Sequence, residues 1–198
     1  MKHRGCLLPA GLAGLALSLS IAPARAQVPV ACTPTPIEVV RSRGGTIDYL
    51  GSVSNIPDLC RVVRSGEAGD YYYGVWKSDW PGAGQAYPAL KTVINGGLNS
   101  KASFITRSFP GMQWVDTLVN EGLEYVSVDG RPYATLRVMH EREGIEGNTY
   151  HSRITVWRDV NTGAALRTYE QQISGQSYGP DTTWQAVKVQ PIPPGKAG

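Results

Sequence analysis

Between Ala134 and Trp157 apolar residues recur with a period of two, a pattern a helix cannot use. Ala134, Leu136 and Val138 alternate with Thr135, Arg137 and Met139, and further on Tyr150, Ile154 and Val156 alternate with His151, Arg153 and Thr155. Successive side chains of a strand point to opposite faces, so only an extended chain gathers such a set onto one buried surface. Two strands of this kind separated by a short polar interval predict a hairpin. Matching the apolar faces demands paired residues whose numbers add to an even total, because a slip of one residue turns a whole row outward. A three-residue loop of Ile145, Glu146 and Gly147, with Gly147 in the left-handed position, meets that demand. It sets Leu136 opposite Val156, Val138 opposite Ile154, His140 opposite Ser152 and Glu141 opposite His151.

Short alternating runs between Gly, Asn, Asp and Pro signals fill most of the remaining chain. They predict strands at Ile37–Val40, Thr46–Leu50, Cys60–Val63, Tyr71–Trp76, Lys101–Arg107, Gln113–Val119, Leu123–Val128, Leu166–Ile173 and Thr183–Val189. One helix of about eight residues is expected, with Pro88 at its first position, Leu90, Val93 and Ile94 on one face, and Gly96 at its stop. The expected fold is mainly β: an antiparallel sheet forming a sandwich or partly closed barrel, with one short helix packed on it. A single β-rich domain is expected over residues 27–189, followed by a loose Pro- and Gly-rich tail over 190–198.

The first 26 residues read as a cleavable signal peptide. Lys2, His3 and Arg4 precede an apolar run from Leu7 to Ile21, and Ala24-Arg25-Ala26 offers the small-x-small pattern before Gln27. The run is short and Gly-rich for a membrane span, which takes about 20 residues, and Cys6 precedes it, the wrong side for a lipid-modified cysteine. An exported chain, periplasmic or secreted, is the expectation, with no transmembrane segment in its mature part. Cleavage removes three of the 19 Lys and Arg residues and none of the 16 acidic ones, leaving a mature net charge of zero. A nucleic-acid partner is not expected, because phosphate binding draws on a surplus of cations. Cleavage also removes Cys6 and leaves Cys32 and Cys60, which an oxidising compartment would join.

Chemistry-bearing residues concentrate near the predicted hairpin: His140, Glu141, Arg142, Glu143, Glu146 and His151. The register puts His140 on the inner face and His151 on the outer one, so the two do not share a metal. Glu141, Glu143 and His151 remain together as a candidate polar site. Carboxylates two residues apart on a strand lie about 7 Å from each other, a separation compatible with inverting glycosidases. A solvated face laced with ion pairs has the same spacing. Tyr72, Trp76 and Trp80 form a candidate aromatic binding surface of the kind that stacks on sugar rings. Gly175-Gln176-Ser177-Tyr178-Gly179 has the spacing of a nucleophile elbow, but Pro180 follows it and no His lies downstream, so it reads as a turn. Phosphate, dinucleotide, zinc and calcium motifs are missing from the sequence, and no cofactor is expected.

One stretch resembles a family of uncharacterised bacterial exported proteins. It runs from Trp114-Val115-Asp116 and Glu121-Gly122-Leu123-Glu124 through His140-Glu141-Arg142-Glu143-Gly144 and Asn148-Thr149-Tyr150-His151 to Trp157-Arg158-Asp159. The resemblance implies export and β-architecture, and assigns no activity, cofactor or catalytic residue. The reading that follows is an exported domain that binds a small molecule, a glycan or an envelope protein, or serves the envelope structurally. The alternative is a hydrolase acting on envelope glycans through Glu141, Glu143 and His151.

Overall fold

The computed structural model describes residues 29–53, 55–109, 112–175 and 182–193. The expected signal peptide, most of the Gly175–Gly179 motif and residues 194–198 lie outside the described residues. Eleven strands form one antiparallel sheet: β1 (Ile37–Arg41), β2 (Thr46–Val53), β3 (Ile56–Arg64), β4 (Glu67–Tyr72), β5 (Trp76–Lys77), β6 (Lys101–Phe109), β7 (Met112–Val128), β8 (Arg131–Ile145), β9 (His151–Asp159), β10 (Ala165–Ser174) and β11 (Trp184–Pro191). Their spatial order is β5-β4-β3-β2-β1-β11-β10-β9-β8-β7-β6. Every neighbour is also a neighbour in sequence except at one place, where β11 closes back on β1. β5 and β6 are the two edges, and the sheet is not closed into a barrel.

The sheet nevertheless curls over itself. Ile37, Val39, Ile47, Tyr49, Val62 and Tyr71 from β1 to β4 share a core with Val126 and Val128 of β7, although the sheet order separates them widely. A second core forms around the helix α1 (Ala83–Asn95), where Ala86, Leu90, Val93 and Ile94 meet Leu118, Leu136 and Val138. β9 stands between the two cores, which is why all residues from Thr155 to Asp159 are buried and not every second one. α1 packs against β5, β6, β7 and β8, so it occupies the opening between the two sheet edges.

α1 has 13 residues, more than the expected eight, and Pro88 lies inside it and not at its start. The helix begins at Gly82, whose backbone is left-handed at φ 79° and which supplies no side-chain cap. Glycine is required there, since a Cβ would lie 2.7 Å from Thr106 Oγ1. At the other end Asn120 Nδ2 donates to the carbonyls of Val93 and Gly96, both at 3.0 Å, while its Oδ1 accepts from Gly122 N at 2.9 Å. One buried amide thus satisfies the helix terminus and fixes the bulge that joins the two segments expected at Gln113–Val119 and Leu123–Val128 into a single strand. The strand expected at Tyr71–Trp76 is broken by a turn in which Tyr73 and Gly74 take positive φ, leaving β4 and the short β5. β11 runs to Pro191, with Gln190 paired to Glu38, two residues past the expected strand end.

The 134–158 hairpin forms with the expected faces and a different register. Leu136 lies opposite Arg158, Val138 opposite Val156, His140 opposite Ile154, Glu141 opposite Arg153 and Glu143 opposite His151. Each pair is shifted by two residues from the expectation. A two-residue slip leaves every apolar side chain on its original face, so alternation alone cannot choose between the two registers. The loop chooses. The connection runs over residues 146–150 and closes through Gly144 N to Tyr150 O at 2.6 Å and Asn148 N to Ile145 O at 3.2 Å, a longer turn than three residues allow. Gly147 does take the left-handed conformation, and Glu146 joins it.

Candidate functional site

Two groups of polar residues come together, on opposite faces of β8. On the inner face Asp116 is fully buried in the row Trp114, Asp116, Leu118, Asn120 of β7. Arg142 lies directly across the ladder from it, and His140 lies two residues along β8. Asp116 Oδ1 accepts from Arg142 Nε at 2.7 Å and lies 2.6 Å from His140 Nε2, while Oδ2 accepts from the Thr106 hydroxyl. Burial pushes the Asp116 carboxyl up, but the hydrogen bond and charge of His140, with those of Arg142, outweigh it and hold the group at about 2. The guanidinium of Arg142 sits between two indoles, 5.6 Å from the Trp76 ring centre and 5.4 Å from that of Trp114. This arrangement fixes the imidazole ring through one nitrogen and excludes water from the carboxylate. No Ser, Cys or Lys nucleophile is bonded to His140 among the described residues.

Sequence reasoning passed over Asp116. The signal was available: a carboxylate in the middle of an inward-facing row must find partners or be protonated. His140 and Arg142, two residues apart on the neighbouring strand, are those partners.

The outer face carries the residues singled out from sequence. Glu141 Oε1 lies 3.0 Å from His151 Nε2 and accepts from Arg153 Nη2 at 2.9 Å. His151 holds the Glu141 carboxyl below its ordinary value, burial opposes this, and Arg153 adds to the lowering. A carboxylate held ionised in this way is poorly matched to the proton-donor role of a glycosidase acid, which works with a raised pKa. Glu143 is exposed, across the ladder from His151. Among the described residues, no group of three His, Cys, Asp or Glu side chains is placed to hold a metal ion. Glu141→Ala is expected to change stability by about 1 kcal/mol or less, the usual worth of a pair this accessible, as read from denaturant unfolding at neutral pH. A loss of several kcal/mol would show that the outer cluster is a structural keystone.

The aromatic trio divides. Trp76 is core, edge-on to Trp80 and to Phe104 at centroid distances of 6.4 and 5.5 Å. Tyr72 is half-buried and packs on Tyr87 at 4.8 Å. Trp80 alone offers a broad exposed surface, at 48%. Gly82, two residues beyond it, and Gln85 at the start of α1, with Ile105 and Arg107 of the edge strand β6, bound an open groove of about 290 Å³.

No family model and no curated relative matches this chain. Among solved structures, it is similar to the hypothetical lipoprotein YmcC from Escherichia coli (K12), at 13% sequence identity over 69% of this chain and 79% of that one, with a TM-score of 0.43. That likeness is too remote to transfer a site. No helix among the described residues is long and apolar enough to cross a membrane.

Proposed function

We propose that this chain is an exported binding domain, and that it takes a saccharide of the envelope in the groove between the start of α1 and β6. The observation that carries this reading is the composition of the groove: the amide of Gln85, the guanidinium of Arg107 and the apolar wall of Ile105, with the exposed indole of Trp80 close by in sequence. Sugars present that mixture, hydroxyls at the rim of the ring and C–H groups on its faces. Arg107 is already oriented, since its Nε donates to Gln113 Oε1 at 2.8 Å. Among the described residues, no hydrogen bond engages its terminal nitrogens. Export is supported by the disulfide between Cys32 and Cys60 and by the signal-peptide pattern of the first 26 residues.

Titration calorimetry with oligosaccharides released from the bacterial envelope tests the reading. Binding is expected in the wild type, with Arg107→Ala weakening it by about 10- to 100-fold, the worth of a hydrogen bond from a charged group. Trp80→Ala should weaken it as well. Equal affinity in the wild type and Arg107→Ala would remove the groove from the reading.

A further inference from the structure

The far half of β7 is an open strand edge. β6 pairs with β7 only as far as Val119, opposite Lys101, so beyond Asn120 the strand has, among the described residues, a ladder partner on one side alone, β8. The direction of its backbone groups follows from the turn. Val128 and Arg131 flank the two-residue loop Asp129–Gly130, both at positive φ, as a type I′ hairpin requires. In such a hairpin the flanking pair exchanges both hydrogen bonds, and alternate pairs follow suit. Val126 and Glu124 therefore point their N–H and C=O groups at β8. Those of Leu123, Tyr125 and Ser127 point away. The Ser127 carbonyl bears this out by accepting from Gln185 Nε2 at 3.1 Å. Leu123 and Tyr125 are left as the unpaired positions.

Among the described residues, their side chains are also the most solvated large apolar groups on the sheet, at 65% and 75% exposed, and Leu98 beside them is 67% exposed. Leu98 lies over Gly122, where a Cβ would come within 3.0 Å of its Cδ1, so the three make one patch along the edge. Such edges are commonly guarded by Lys or Pro, and residues 121–128 contain neither. The two carboxylates on this edge are already neutralised, since Arg137 binds Glu121 at 2.8 Å and Glu124 at 3.2 Å.

We propose that this edge pairs with the same edge of a second copy, antiparallel, about a two-fold axis through Glu124. The segment is self-complementary in that register. Leu123 of one copy falls opposite Tyr125 of the other, and the reverse, so each apolar residue meets an apolar partner, as a two-fold contact demands. The same register lets the outward N–H and C=O groups of Leu123 and Tyr125 bond those of Tyr125 and Leu123 in the second copy. Glu124 meets its own image at a position where the backbone does not bond, with Arg137 holding each carboxylate on its own chain. A parallel arrangement would break this pairing of unlike residues, and an unrelated peptide would need the same outward spacing by chance.

Sedimentation equilibrium of the mature chain, from micromolar to millimolar protein, tests this. A reversible dimer is expected, and Leu123→Lys and Tyr125→Lys should each abolish it without lowering the unfolding midpoint measured at protein concentrations where the wild type is monomeric. The register is read separately with Glu124→Cys, which should give a dimer linked through residue 124 under mild oxidation, because residues at a non-bonded antiparallel position lie with Cα atoms about 4.5 Å apart. A wild type that stays monomeric throughout would overturn the proposal. So would a dimer that survives both lysine substitutions.

Discussion

Asp116→Ala is expected to lower stability by about 3–5 kcal/mol, the usual cost of removing one partner from a buried ionic network. The substitution removes the acceptor shared by His140, Arg142 and Thr106, and Asp116 itself is fully buried. Arg142 would remain pressed between Trp76 and Trp114 with no counter-charge. Asp116→Asn keeps the shape and removes the charge, so it should cost less than the alanine and more than Glu141→Ala. Denaturant unfolding of the three variants reads the order directly. If Asp116→Ala costs under about 1 kcal/mol, the network is no more than a surface pair.

Acid makes the same point without mutation. The Asp116 carboxyl is depressed from 3.8 to about 2 in the folded protein. A depressed carboxyl contributes stability above its unfolded value, and that contribution drains away as the pH falls through the folded one. The window is therefore from about pH 4 down to about pH 2, and the amount is roughly 2 kcal/mol at 1.36 kcal/mol per unit. Unfolding free energy measured across that window should fall more steeply in the wild type than in Asp116→Asn, which has nothing to protonate there. Parallel curves would mean that other carboxyls set the acid limit.

These residues also show where a sequence stops being readable. The faces of β8 and β9 were plain, because Leu136, Val138 and Val156 leave no choice about which side is buried. Their register was not, because a slip of two residues preserves the faces and only the 146–150 loop separates the alternatives. The helix was placed by Leu90, Val93 and Ile94, yet it starts at Gly82, a position that Thr106 of a distant strand reserves for glycine. Pro88 marks a helix start in local chemistry, and tertiary packing of Ala86 overrode it by extending the helix toward the N-terminus. The candidate residues suffered in the same way. Glu141 and His151 were visible because they cluster in sequence, whereas Asp116 joins His140 from 24 residues away. The groove was invisible altogether, since it arises between α1 and β6 and belongs to neither.

Replacing both Cys32 and Cys60 with serine is expected to cost about 3.5 kcal/mol or more. The bridge spans 28 residues, and the entropy it removes from an unfolded loop of that size gives the lower figure. The folded state adds to it. Cys32 belongs to the segment that lies over β9, where Val30 N donates to Val160 O at 2.9 Å. The carbonyls of Val30 and Ala31 accept from Arg158 Nη2 at 3.3 and 3.0 Å. Arg158 is fully buried, and burial lowers its pKa to about 10, against the opposing pull of Tyr49, Tyr73 and Asp159. Its Nε and Nη1 have no hydrogen-bond partner among the described residues. Those two carbonyls therefore supply the hydrogen bonds of a cation that cannot be reached by bulk water. Without the disulfide the segment detaches more easily, and each detachment strips Arg158 of both acceptors. The two losses are coupled, so they should not add. In a double-mutant cycle, Arg158→Met should cost markedly less in the serine pair than in the oxidised protein, with an interaction energy of about 0.5–3 kcal/mol. Hydrogen exchange at Val30 provides an independent readout, fast in the serine pair and slow in the bridged chain. Additive costs together with unchanged exchange would mean that the bridge acts on the unfolded chain alone, and that Arg158 holds the N-terminal segment in place without it.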